Sequence, residues 1–409
     1  MKASPSASDE LIVAAEHVFD GEQLHNDRFI VICDGRILDV LREVPSGVHH
    51  LRLPPGAILA PGFVDLQVNG GGGVLFNNDL TPAGLARIAA AHRRVGGTTS
   101  LLPTLISDTR AVIQAAINAV GDAIAAGVPG ILGVHVEGPF LSPRRAGIHD
   151  PARLSQFTPS DVDLLTGLGN RGVTLVTLAP EEVPLEAIYA LVARGAFVSA
   201  GHSADEGRAI RAALDAGLTG FTHLFNAMSQ MGPREAGAVG IALTDDRAFA
   251  GIIADGHHVE DVPLAVALRM KGPERLMLVS DAMPPVGNPN AGATFTLFGR
   301  KIHIHGDRLT SDNGTLAGAA LTMAGAVRHM HNRAGASLEV ALTMASLTPA
   351  RFLKLDREIG RIAPNYWADL VILGSKLEVL GTIVRGNIDF TNPSPGTQFS
   401  SAVSSPSVE

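Results

Sequence analysis

The chain has 409 residues, 46% hydrophobic and 18% charged, with one Trp, two Tyr and a formal net charge of -8. That composition is of an α/β enzyme whose core is filled by Ala, Val, Ile and Leu, and the length holds one barrel of about 250 residues beside a small accessory domain. A negative chain with no Lys/Arg run lacks the basic face that counterion-release binding to nucleic acid requires.

No stretch reaches the roughly 20 apolar residues of a membrane span. The start, MKASPSASDELIVAAEHVFDG, lacks a continuous apolar signal region, so a cytoplasmic protein with no membrane contact is expected. The single Cys33, in the run FIVIC, cannot form an internal disulfide and reads as a small buried hydrophobe.

In chain order, residues 1–58 contain the alternating runs LIVAAEHVF, RFIVICDG and RILDV, which read as strands and hairpins of a small β domain. A different rhythm follows across residues 59–357. APGFVDLQVNG reads as a strand, and TPAGLARIAAAHRRVGG as a helix with a Thr N-cap and a Gly stop. TTSLLPTL, GILGVHVEGPF, VTLVTLAPE, AFVSAGHS, GFTHLFNAM, FAGIIADGHHV and RLMLVSDAM continue the strand series, most of them separated by helical segments.

Strands alternating with helices imply a parallel sheet with right-handed crossovers, and eight of them a closed (β/α)8 barrel. An open doubly wound sheet is disfavoured because GGGG at Gly70 to Gly73 lacks the spacing of a dinucleotide fingerprint. ATFTLFGRKIHIHGDRLTSDNG alternates like a hairpin inserted on the catalytic side after the eighth strand. Residues 358–392 return to strand patterning and are expected to complete the small β-sandwich domain begun by 1–58. The Ser/Pro-rich tail 393–409 reads as disordered.

The polar residues carry the functional signal. Gln67 and Asn69 end the first strand, Glu137 the third, His202 the fifth, His223 the sixth, His257 and His258 the seventh, and Asp281 the eighth. Barrel active sites are assembled at that C-terminal face from the ends of different strands. Glu137, His202 and His223 form a carboxylate/imidazole set suited to one divalent metal, and three protein ligands leave a position open for catalysis. Zinc suits the set first, although iron, cobalt and manganese accept the same ligands. Asp281 is the expected general base and acid. His257 is expected to be a spectator, because neighbours on a strand face opposite ways.

The ordered segments PGFVDLQVNG, HVEGPF, GHS, THLFNAM, IADGHHV, LVSDAM and LAGAALTM resemble the signatures of the N-acetylglucosamine-6-phosphate deacetylases of the amidohydrolase superfamily. The resemblance implies a barrel with a split β-sandwich domain, hydrolysis of the acetamide of a phosphorylated amino sugar, and a homodimer with phosphate contacts across its interface. It implies that His149, on the lid-like loop SPRRAGIHDPA, and the adjacent Ile148 face the substrate. It also implies substrate contacts from Asn226 and Ala227 after His223, phosphate contacts from Arg234 and His258, and a contacting turn at Leu316, Ala317 and Gly318.

From the residues alone that last segment reads as a helix start. Gln67-Val68-Asn69 departs from the His-x-His that many superfamily relatives carry, and amides are poor first-row metal ligands, so one tight site and a vestigial second position are expected. Two alternatives stand beside this reading: deacetylation of the galactosamine epimer, which is compatible with every one of these motifs, and a non-catalytic barrel acting as an interaction protein, against which the presence of Glu137, His202, His223 and Asp281 weighs.

Overall fold

The computed structural model describes residues 10–46 and 48–391, so the expected disordered tail lies outside the described residues. The terminal segments build one eight-stranded mixed sheet. Leu11–Phe19, Leu24–Cys33 and Arg36–Leu41 form an antiparallel meander. Its second turn, Asp34-Gly35, has both residues at positive φ (51° and 74°), the two-residue turn whose twist matches that of the flanking strands.

Ile58–Pro61 lies between Leu11–Phe19 and the C-terminal strand Leu370–Leu373, and Val379–Val384 and Asn387–Phe390 extend the sheet outward. The two ends of the chain therefore meet along one strand pair. This sheet has its own core, in which Val13, Ile30, Leu59, Leu370, Ile372 and Ile383 are buried. Trp367 sits between Arg36 and Arg385, whose guanidinium carbons lie 3.7 and 3.5 Å from its ring centre. Cys33, expected to be buried, is only half-buried, because it is the last residue before the surface turn.

Two residues after Pro61 the chain enters the barrel. All eight expected barrel strands form: Phe63–Val68, Thr98–Ile106, Gly133–Glu137, Val173–Leu178, Phe197–Ala200, Gly220–Phe221, Phe249–Ile252 and Leu276–Leu278, each parallel to the next. First and last strands close through a parallel bridge between Val68 and Ala282 and the bond from Asn69 N–H to the Ala282 carbonyl, 2.9 Å. The helices lie outside, and the first shows how local sequence sets them. Thr81 caps Pro82–Gly96 by accepting from Gly84 N–H, and Gly97 ends it in the left-handed conformation, φ 69°.

Two excursions stand on the catalytic face. Gly70–Gly71 pairs with Val74–Leu75 as a tight hairpin turning through Gly72 and Gly73, so the glycine run serves a turn. After the eighth barrel strand, Thr294–Leu297, Arg300–His305, Arg308–Ser311 and Leu316–Ala319 form a four-stranded antiparallel sheet. The expected hairpin is thus larger, and Leu316 to Ala319 is its last strand instead of a helix start. The small side chains decide this. The strand runs back against the eighth-strand end, with Ala319 N–H donating to the Asp281 carbonyl, and a Cβ at Gly318 would stand 2.8 Å from that same oxygen. No helix among the described residues is long and apolar enough to cross a membrane.

Candidate active site

A cleft of about 330 Å³ opens at the C-terminal face of the barrel, and Glu137, His202, His223 and Asp281 line it together. Three of these side chains are aimed by unusual backbone: His202, His223 and Asp281 have φ of 49°, 34° and 49°, in the left-handed region that non-glycine residues rarely occupy. Such conformations cost about 1–3 kcal/mol each and persist where the surroundings over-determine them. Here the chain leaves a strand and turns sharply, so the next side chain points across the barrel mouth.

The donors converge closely. His223 Nε2 lies 2.9 Å and His202 Nε2 3.1 Å from Glu137 Oε1, and the two nitrogens are 3.0 Å apart. His202 Nδ1–H donates to the Arg145 carbonyl at 2.8 Å, which leaves Nε2 as the lone-pair nitrogen. His223 Nδ1 is buried with no partner among the described residues. Burial opposes the charge on Glu137, yet the two imidazoles that face its Oε1 outweigh it and hold the carboxyl well below its usual range. Burial likewise opposes the charged form of His223, but Glu137 raises its pKa overall. One anionic oxygen and two imidazole nitrogens crowded within 3.1 Å are the donor set that a divalent cation satisfies.

A nitrogen of His149 also lies within 4.8 Å of the Glu137 and His202 donor atoms. Its Nδ1, however, faces Ser107, whose hydroxyl is 2.7 Å and whose N–H is 3.3 Å away. The tighter triad is therefore Glu137, His202 and His223. Burial pushes the His149 pKa down to about 3, so its ring stays neutral.

Gln67 and Asn69 grip the carboxylates. Gln67 Nε2 donates to Glu137 Oε2 at 3.2 Å and to Asp281 Oδ1 at 3.1 Å, and Asn69 Nδ2 donates to Asp281 Oδ1 at 2.6 Å. Burial first, then the charge of Glu137, push the Asp281 pKa up to about 6.

Of the expected substrate residues, Ile148, His149, Asn226, Ala227, His258, Leu316 and Gly318 line the cleft. His258 Nδ1 donates to the buried Asp255 carboxylate at 2.6 Å. Ala317 is fully buried in the core of the inserted sheet, because alternate residues of a strand face opposite ways. Arg234 is exposed and outside the cleft lining. His257 pairs with Asp307 at 2.9 Å, also outside it.

Arg144, Arg145, Ile253, Met283 and Thr315 also line the cleft, beyond the residues expected from the sequence. The Arg-Arg pair in the lid loop was a readable signal, since two cations in a substrate loop suit an anionic ligand. The other three had none, because only the tertiary fold brings them to the rim.

An amidohydrolase family model matches residues 58–388. The chain belongs to the amidohydrolase family. It is 44% identical to an N-acetylgalactosamine-6-phosphate deacetylase of Shewanella sp. (strain ANA-3), over 94% of this chain and 97% of that protein. It is 39% identical to the human N-acetylglucosamine-6-phosphate deacetylase, over 87% of this chain and 89% of that one. Among solved structures, the N-acetylglucosamine-6-phosphate deacetylase from Pasteurella multocida superposes with a TM-score of 0.88 at 29% identity, covering 93% of this chain and all of that one. These likenesses make the chain a hydrolase of the amino-sugar 6-phosphate deacetylase branch.

Proposed function

We propose that the protein hydrolyses the acetamide of N-acetyl-D-glucosamine 6-phosphate to D-glucosamine 6-phosphate and acetate. The observation that carries this reading is the Glu137–His202–His223 triad facing Asp281 in one cleft of an amidohydrolase barrel. Glu137, His202 and His223 would hold one divalent ion, zinc first, supplying Lewis acidity toward water and toward the amide carbonyl. Asp281 takes one proton from the attacking water and delivers it to the departing nitrogen, so that the C–N bond breaks to acetic acid and the neutral amine, which exchange the remaining proton to leave acetate and an ammonium group. The neutral His149 donates a hydrogen bond to the acetyl oxygen as negative charge develops there.

Ile148, Asn226, Ala227, Leu316 and Gly318 position the sugar. His258, backed by Asp255, is one phosphate contact. Arg234, exposed and away from its own cleft, is assigned to the phosphate in a neighbouring subunit's cleft, which makes the working unit a homodimer. Its planar guanidinium can make two charge-assisted bonds to one phosphate.

A second reading, the galactosamine epimer, is favoured by the 44% identical Shewanella relative. Acetate release from the two purified sugar phosphates, at matched metal content, decides between them. If neither substrate releases acetate, the assignment fails.

A further inference from the structure

The hydrogen bonds behind His149 carry an inference that rests on the reaction proposed above. Ser107 is the residue immediately after the second barrel strand, Thr98–Ile106, and is almost wholly buried. Its backbone N–H points at His149 Nδ1 from 3.3 Å. A backbone N–H can only donate, so Nδ1 must be the unprotonated nitrogen of the ring. The Ser107 hydroxyl, 2.7 Å from the same atom, therefore donates as well. Its other neighbour, the Glu137 carbonyl oxygen, is farther away at 3.5 Å, so the hydroxyl proton goes to the imidazole.

The hydroxyl is itself held in place. A Cβ at Gly138, the residue after Glu137, would stand 2.2 Å from Ser107 Oγ, so the serine oxygen fills the space a side chain there would take. The lid loop is tied to the same strand end by a second bond, the ion pair of Arg153 with Asp108, the residue next to Ser107. The Arg153 guanidinium also stacks 4.7 Å from the ring centre of Phe298 in the inserted sheet. His149 is thus seated by a docked loop.

We propose that Ser107 is a positioning residue for the deacetylation, whose N–H and hydroxyl together lock His149 as the tautomer carrying its proton on Nε2 and present that proton to the acetyl oxygen. A ring so locked cannot serve as a further metal ligand through Nε2, which separates this role from the ligand role that its closeness to Glu137 and His202 also allows. Neutral side-chain hydrogen bonds contribute modestly, so the hydroxyl should matter by about three- to ten-fold, felt mainly in kcat because the donated bond strengthens in the transition state.

The test uses the full chain loaded with zinc. Long-range 1H–15N spectra of the wild type, with the His149 signal assigned by its loss in His149→Asn, should show an unprotonated Nδ1 and a protonated Nε2 at neutral pH. A proton on Nδ1, a doubly protonated ring, or an Nε2 shifted by metal coordination overturns the proposal. This measurement needs no turnover, so it stands or falls separately from the substrate assignment.

Ser107→Ala should lower kcat about three- to ten-fold with KM and zinc content unchanged, and Ser107→Thr, which keeps a hydroxyl, should recover to within about two-fold of wild type. Unchanged kcat in Ser107→Ala, failed rescue by Thr, or loss of zinc overturns it. If Ser107→Ala does not fold, the wild-type spectra still decide the matter.

Discussion

Replacing Asp281 by Asn isolates the proton-transfer role from the architecture. In the structure Asp281 Oδ1 accepts from Gln67 Nε2 and Asn69 Nδ2, at 3.1 and 2.6 Å. The side-chain carbonyl oxygen of the introduced amide can accept the same two bonds, so the cleft should keep its shape. Glu137, His202 and His223 are untouched, so metal content should stay at the wild-type level. What disappears is the group that shuttles the proton, a contribution of about 10²- to 10⁴-fold, or about 2.7 to 5.4 kcal/mol of barrier at 1.36 kcal/mol per decade.

The pH profile adds a second readout. Burial and the Glu137 charge push the Asp281 pKa up to about 6, and the group acts as a base only when ionised. Wild-type kcat/KM should therefore fall as pH drops through about 6, approaching a ten-fold loss per unit. A cation beside Glu137 favours the carboxylate and moves this limb lower, never higher. In Asp281→Asn the limb should vanish. Acetate release at a series of pH values, with metal analysis of each preparation, checks both. An Asn variant keeping more than about half the wild-type rate, or keeping the acid limb, refutes the role.

The metal set makes a stoichiometric prediction. Fully active protein should carry about one divalent ion per chain, chelation should abolish activity, and one equivalent should restore it, whereas a requirement for two equivalents refutes the mononuclear site. His202→Ala and His223→Ala should lose metal and activity together, while Gln67→Ala should keep the metal, both read by elemental analysis. Arg234→Ala should reduce kcat/KM about ten- to a hundred-fold on the phosphorylated sugar and leave the slow unphosphorylated reaction unchanged; equal losses on both contradict a phosphate contact.

Asp65 makes a stability prediction. It is fully buried, its Oδ2 has no partner among the described residues, and burial raises its pKa from 3.8 to about 7. The fold favours its protonated form, so wild-type stability is lost progressively as pH rises from about 4 to about 7, by up to about 4 kcal/mol. Asp65→Asn lacks this titration. The Tm of the variant relative to wild type should therefore rise across that window, and a flat difference shows that Asp65 does not titrate there.

Much of the site was legible because its chemistry falls at regular places in a repeating pattern. Glu137, His202, His223 and Asp281 each stand at or just after the end of a β-branched or apolar run, and in a parallel barrel all such ends share one face. The helix at Pro82 was readable from Thr81 and Gly97 because both signals act within one turn of chain. The strand Leu316–Ala319 was not, since nothing local in LAGAAL opposes a helix; it is extended because it pairs with Arg308–Ser311 and the end of the eighth barrel strand. Cys33 is less buried than its apolar run implies for a related reason: such a run does not say where it reaches the surface.

By itself, then, the sequence determined the periodicity of strands and helices, the local caps and turns, and the residue types able to bind a cation or move a proton, because each depends on neighbours a few positions away. Only the tertiary structure decided which groups meet. It set the 2.9 to 3.1 Å convergence on Glu137, the amide clamp of Gln67 and Asn69 on Asp281 and the seating of His149 on Ser107. It also buried Ala317 and left Arg234 outside its own cleft. Those outcomes depend on where barrel closure and the inserted sheet bring distant segments, and contacts at separations of 42 to 214 residues leave no periodic trace in the chain.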